Sequence, residues 1–122
     1  MSISEDFYLK RRSVMAKKMS PEPIKESVLN QIIQAGIRVP DHGALNPWKL
    51  AIIQGKHRAI IDKEIIFKEY IKKNPNSDKY FHEIESKRLQ RAGAVIAVIS
   101  TPVDHPSIPL WEMQLSSGAV CM

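Results

Sequence analysis

The segment Ala94 to Ser100, AVIAVIS, limits the possible architecture more than any other stretch of this chain. A continuous apolar run rich in β-branched residues predicts a strand with cover on both faces and hydrogen-bonding neighbours on its edges. Only one other convincing strand is available, Trp48 to Gln54, which carries Trp48, Leu50 and Ile52 on one face. The intervening residues read as helices, so the chain is expected to be α+β, with helices around a mixed sheet. Two strands separated by helices make a poor sheet on their own. The pattern therefore predicts that further strands come from additional chain or from a partner.

The helical readings come from periodicity. Val28, Leu29, Ile32, Ile33 and Ile37 recur at spacings of three and four and predict an amphipathic helix that Pro40 ends. A second helix is predicted over about 57–72 from Ile61, Ile65, Phe67 and Ile71, followed by a turn at Asn74, Pro75, Asn76 and Ser77. Tyr80, Phe81 and Ile84 predict a third, reaching about Arg91. A short helix is predicted over 4–12, with Ser4 as its expected N-cap and Glu5 and Asp6 in its first turn. Pro102, Pro106 and Pro109 hold a loop open before a last helix that begins at Leu110, and its end, Ser117 to Met122, has no cap and no charge.

With 122 residues the chain suits a single domain spanning 1–122, and neither repeats nor low-complexity segments divide it. Its apolar fraction of 43% and charged fraction of 25% are ordinary for a globular protein. No apolar run approaches the ~20 residues that cross a bilayer, so no membrane association is expected. The opening MSISEDFYLKRRS lacks the apolar stretch of a secretory signal. With one cysteine, Cys121, no internal disulfide can form, and a cytoplasmic location is the expectation. Cys121 itself reads as a core thiol.

Net charge is +5, but the basic residues are spread along the chain and mixed with acidic ones. The densest cluster is Lys10, Arg11 and Arg12, with Lys17 and Lys18 close behind. No reading motif accompanies the charge, so a small basic nucleic-acid-binding domain is the weaker reading and no nucleic-acid partner is expected. The four histidines, His42, His57, His82 and His105, lack ligand spacing, and no metal site is expected. Neither a Gly-rich phosphate loop nor a Ser, His and acid set is present.

Three segments carry chemistry. Arg11-Arg12-Ser13 places two planar guanidinium forks beside a hydroxyl, a set that can grip phosphate oxygens or simply form a solvated basic turn. Gly36 to His42, GIRVPDH, leads on to Asn46-Pro47-Trp48. A helix stop explains Arg38 and Pro40 there but not Asp41-His42 or Asn46-Pro47-Trp48. Pro109 to Met113, PLWEM, opens the last helix, and its plainest reading is a buried aromatic at a helix start.

The order and spacing of RRS, PEP, AGIRVP, DHGALNPWKLAII and PLWEMQLSSGAV resemble the start of nitroreductase-family flavoproteins, from about Arg11 to the last residue. The resemblance implies a nitroreductase-like α/β sandwich of which this chain is the N-terminal part. It also implies a homodimer with FMN at the subunit interface. The activity implied is reduction of nitroaromatics, quinones or similar small-molecule acceptors with NADH or NADPH, by ping-pong hydride transfer. Arg11, Arg12 and Ser13 match the segment contacting the FMN phosphate and ribityl chain, and Arg38 matches a further flavin-contacting arginine. His42 matches a loop residue that reaches the flavin bound with the other subunit. No catalytic side chain is assigned. Many members carry another arginine two residues after RRS, where this chain has Met15, leaving Lys17 as the next cation. The rival reading is an inactive, flavin-free remnant that serves only as a subunit or interaction module.

Overall fold

The computed structural model describes residues 9–122. Ser4, Glu5 and Asp6, the expected start of the first helix, lie outside the described residues. Leu9 and Lys10 are helical, and the chain leaves the helix at Arg11.

The first full helix, α1, is Glu26–Gly36. It stops ahead of Pro40: Ile37 sits at φ −81°, ψ 0°, and the Arg38 amide donates to Ala35 O at 3.1 Å, a tightened last turn. Strand β1 is Trp48–Gln54 and strand β2 is Ala94–Ser100, as the sequence predicts. They pair antiparallel, from Trp48 opposite Ser100 to Gln54 opposite Ala94. This pair is the whole sheet among the described residues. Directly opposed residues share a face, so Leu50 with Val98 and Ile52 with Ile96 form one surface. Leu50, Ile96 and Val98 meet Ile33 of α1 and Val120 of the last helix around a cavity of about 200 Å³. The cover expected on both faces of β2 is not found among the described residues: its residues are half-buried or exposed, and Ile99 is 48% exposed.

The helix predicted over about 57–72 is present with an unforeseen wide turn. Helix α2 (Lys56–Ile61) passes through a π turn (Asp62–Phe67) into α3 (Lys68–Lys73). Asp62, at the start of that turn, is fully buried. Its carboxylate accepts from the Leu89 amide at 2.9 Å, the Gln90 amide at 3.3 Å and Gln90 Nε2 at 3.1 Å.

A second departure lies next to this capture. Helix α4 is Lys79–Glu85, capped by Asp78, whose side chain accepts from the Tyr80 and Phe81 amides. It ends well before Arg91: the Ser86 and Lys87 amides close its last turn on the His82 and Ile84 carbonyls, and Asp62 then holds the Leu89 and Gln90 amides in a separate 3₁₀ turn, Leu89–Arg91. That turn feeds Gly93 and then β2. Gly93 is buried against the backbone of Glu22, where an added Cβ would lie 1.9 Å from the Glu22 carbonyl oxygen. Arg58 of α2 clamps the same junction by donating to the carbonyls of Pro21 and Ala92.

The last helix, α5, is Leu110–Val120. Its buried positions, Met113, Ser116, Ser117 and Val120, follow a helical spacing of three and four. Trp111 falls on the other side and is 59% exposed, so the expected buried aromatic is not there; Met113 takes that place at 2%. Cys121, expected in the core, is exposed, because it sits one position past Val120, which faces inward. With Leu29, Ile108 and Pro47, the inward face of α5 forms the small core. No described helix is long and apolar enough to cross a membrane.

Candidate functional site

The loop between α1 and β1 has a fixed and unusual backbone. His42–Ala44 is a 3₁₀ turn, and Gly43, Ala44 and Asn46 have positive φ values of 73°, 50° and 47°. Such values are costly for residues with a Cβ and persist where surrounding contacts over-determine them. Here the contacts are explicit. The Asn46 amide donates to Asp41 Oδ2 at 2.7 Å, and the Trp48 amide donates to the Asn46 carbonyl at 2.7 Å. Asp41 and Asn46, which a plain helix stop left unexplained, thus shape the loop. A Cβ at Gly43 would come within 2.7 Å of Ile108 Cδ1, so the turn lies tight against a buried side chain.

Helix α5 fastens the loop at both ends. Ser116 Oγ donates to the Pro40 carbonyl at 2.9 Å, and Ser117 Oγ donates to the Pro47 carbonyl at 2.8 Å. The Thr101 amide, just past β2, also donates to Pro47 O at 2.8 Å. Between these anchors stands His42, whose Nδ1 lies 2.6 Å from Glu112 Oε2 in the first turn of α5. A carboxylate can only accept. The contact therefore suits a ring protonated at Nδ1, which leaves Nε2 as the remaining nitrogen.

His42 and Glu112 line an open cleft of about 340 Å³ with Pro40, Leu115, Ser116 and Ala119. Its walls are largely apolar, with one imidazole and one carboxylate at the rim.

Of the five residues the sequence singles out for cofactor contact, only His42 lines this cleft. Arg11, Arg12 and Ser13 lie on an exposed, non-helical stretch ahead of the 3₁₀ turn Ala16–Lys18. Arg38 is exposed just past the end of α1. None of these four side chains makes a hydrogen bond or ion pair with another described residue, so three guanidiniums keep their donors available. That is the donor chemistry a phosphate requires. Sequence reasoning passed over Glu112 and the two serines. The signal for Glu112 was the PLWEM segment, in which the carboxylate, not the tryptophan, is the residue that meets the loop. Among the described residues, no three His, Cys, Asp or Glu side chains are grouped to hold a metal ion.

Comparison with known proteins adds two findings. The family model described as "Nitroreductase family" matches residues 8–122. The "Putative NAD(P)H nitroreductase YdjA" of Escherichia coli (strain K12) is 27% identical over 121 residues, covering 96% of this chain. The protein of the same name from Escherichia coli O157:H7 matches equally well. The chain spans 61% of the length of these curated relatives.

Proposed function

Because this chain belongs to the nitroreductase family, we propose that the protein containing it is an FMN-dependent oxidoreductase. It takes reducing equivalents from NADH or NADPH and delivers them to a nitroaromatic, quinone or similar small acceptor in a ping-pong cycle. The flavin, when bound, supplies the redox chemistry; the protein supplies binding, orientation and electrostatics. Arg11, Arg12 and Ser13 hold the phosphate and ribityl chain, and Arg38 is a further flavin contact. His42 contacts the flavin from a loop held rigid by α5. No side chain is assigned a catalytic proton transfer.

A homodimer with the flavin between its subunits belongs to the same proposal. Supporting it is a row of apolar side chains along the outer face of α5. Trp111 and Leu115, one helical turn apart, are 59% and 64% exposed, and Leu110 beside them is 55% exposed. Exposed apolar surface of this kind usually marks an interface. A cytoplasmic location is also proposed, resting on the lone cysteine.

The observation that carries the reading is the set of unpaired, exposed guanidiniums in a chain whose family match covers all of them. Binding of FMN and of riboflavin to the full protein, followed by flavin absorbance, tests it. Arg11→Ala is expected to weaken FMN roughly ten- to a hundred-fold, the effect of one hydrogen bond to a charged group. Riboflavin, which lacks the phosphate, should be nearly unaffected. Equal losses for both ligands would remove the phosphate assignment, and a colourless protein that takes up neither would remove the flavin reading altogether.

A further inference from the structure

We propose that Glu112 is a positioning residue for His42: it holds the imidazole in its Nδ1–H form, so that Nε2 is the nitrogen available to a ligand in the cleft. The inference rests on the reading of His42 as a ligand contact. Its basis is a side-chain pair that the comparisons with known proteins leave unassigned.

Three observations support it. The contact is short, 2.6 Å, and joins residues 70 positions apart in the chain, so it depends on tertiary structure and not on local sequence. The two backbones it links are held in register independently, by Ser116 on Pro40 and Ser117 on Pro47, on either side of the histidine. Glu112 also sits in the first turn of an eleven-residue helix, where unpaired amides favour a carboxylate.

The exposures separate the two roles. The His42 side chain is 63% exposed and that of Glu112 is 28%. A pair this exposed adds little to stability, so its consequence is orientation and tautomer. With Nδ1 committed to Glu112, neutral His42 accepts through Nε2 from an N–H or O–H of a ligand. Protonated His42 donates through Nε2 to a carbonyl or anionic oxygen. In both states the ring keeps one direction, as a histidine does when a second group fixes its other nitrogen. The matching ligand has a polar edge at Nε2 and an apolar surface against Pro40, Leu115 and Ala119.

The test is the nitrogen-15 signature of the His42 ring in the full protein, read without flavin and at a pH where the ring is neutral. The wild type is expected to show Nδ1–H. Glu112→Ala should lose that preference, and Glu112→Gln, whose amide oxygen still accepts, should retain part of it. Flavin titration supplies a second measurement. Glu112→Ala should weaken FMN and riboflavin alike, roughly five-fold, the effect of about one hydrogen bond. It should do nothing further in a His42→Ala background. A wild-type ring in the Nε2–H form, or a tautomer unchanged by Glu112→Ala, overturns the proposal. So does a Glu112→Ala effect on flavin that persists without His42. A protein that binds no flavin yet shows the tautomer change supports this inference while removing the flavin reading.

Discussion

Replacing Asp62 by alanine should be among the most damaging single changes outside the site. The side chain is wholly buried and meets three donors: the Leu89 and Gln90 amides, and Gln90 Nε2. The Gln90 side chain has a fallback in the Ser86 carbonyl, 3.5 Å away, but the two amides begin a 3₁₀ turn with no partner to replace the carboxylate. A hydrogen bond to a charged group contributes about 1.5–3 kcal/mol, and losses within one network do not simply add. Counting only the two amides and taking the lower end leads to a loss of about 3 kcal/mol. That is a large part of the ~5–15 kcal/mol by which domains are stable. With a urea slope of about 1–3 kcal/mol per molar, the unfolding midpoint should fall by about 1 M or more. Asp62→Asn keeps the volume and one acceptor oxygen and should fall between the two. Hydrogen exchange of the Leu89 and Gln90 amides should accelerate in Asp62→Ala. A midpoint for Asp62→Ala within about 0.3 M of the parent, some 0.3–0.9 kcal/mol on that slope, would refute the reasoning.

Gly93→Ala places a methyl 1.9 Å from the Glu22 carbonyl oxygen, and Arg58 holds that segment through Pro21 and Ala92. Backbone must move, so a loss of about 3 kcal/mol is expected, and thermal melting that shows under 1 kcal/mol would contradict the packing. Leu115→Glu puts a charge on the outer apolar face of α5 and should lower self-association by at least ten-fold in sedimentation; unchanged association would place the interface elsewhere. Glu64 is held below the usual glutamate range by the Lys68 ammonium, first through its hydrogen bond and then through its charge. A depressed carboxylate adds stability above its unfolded pKa of about 4.3 and loses it as pH falls through the lower folded value. Lys68→Met should therefore narrow the difference in urea midpoint between pH 6 and pH 3; an unchanged difference would show that the pair has no role.

The elements that were legible in the sequence were those with a strong local signal. β2 announces itself through AVIAVIS and β1 through the alternation of Trp48, Leu50 and Ile52. The Asp78 cap also obeys a local rule, although it was not foreseen. The helix over 56–73 was legible in position but not in its π turn, because periodicity over a few turns does not resolve one wide turn. In the site, His42 was legible through the resemblance of its loop. Glu112 was not, because nothing local connects two residues 70 positions apart.

Sequence alone determined the α+β class, both strands and the arginine-rich and histidine-bearing segments, because propensity, periodicity and short motifs act within a few residues. Tertiary structure decided which face of each element is buried. The phase of α5 turned Met113, Ser116, Ser117 and Val120 inward and left Trp111 and Cys121 outside. It also set the 3₁₀ turn after α4, where the distant Asp62 carboxylate holds the Leu89 and Gln90 amides. The same docking brought Glu112 onto His42. The reason is that these outcomes depend on packing between distant segments, which brings together partners 27 residues apart for Leu89 and Asp62 and 70 apart for His42 and Glu112.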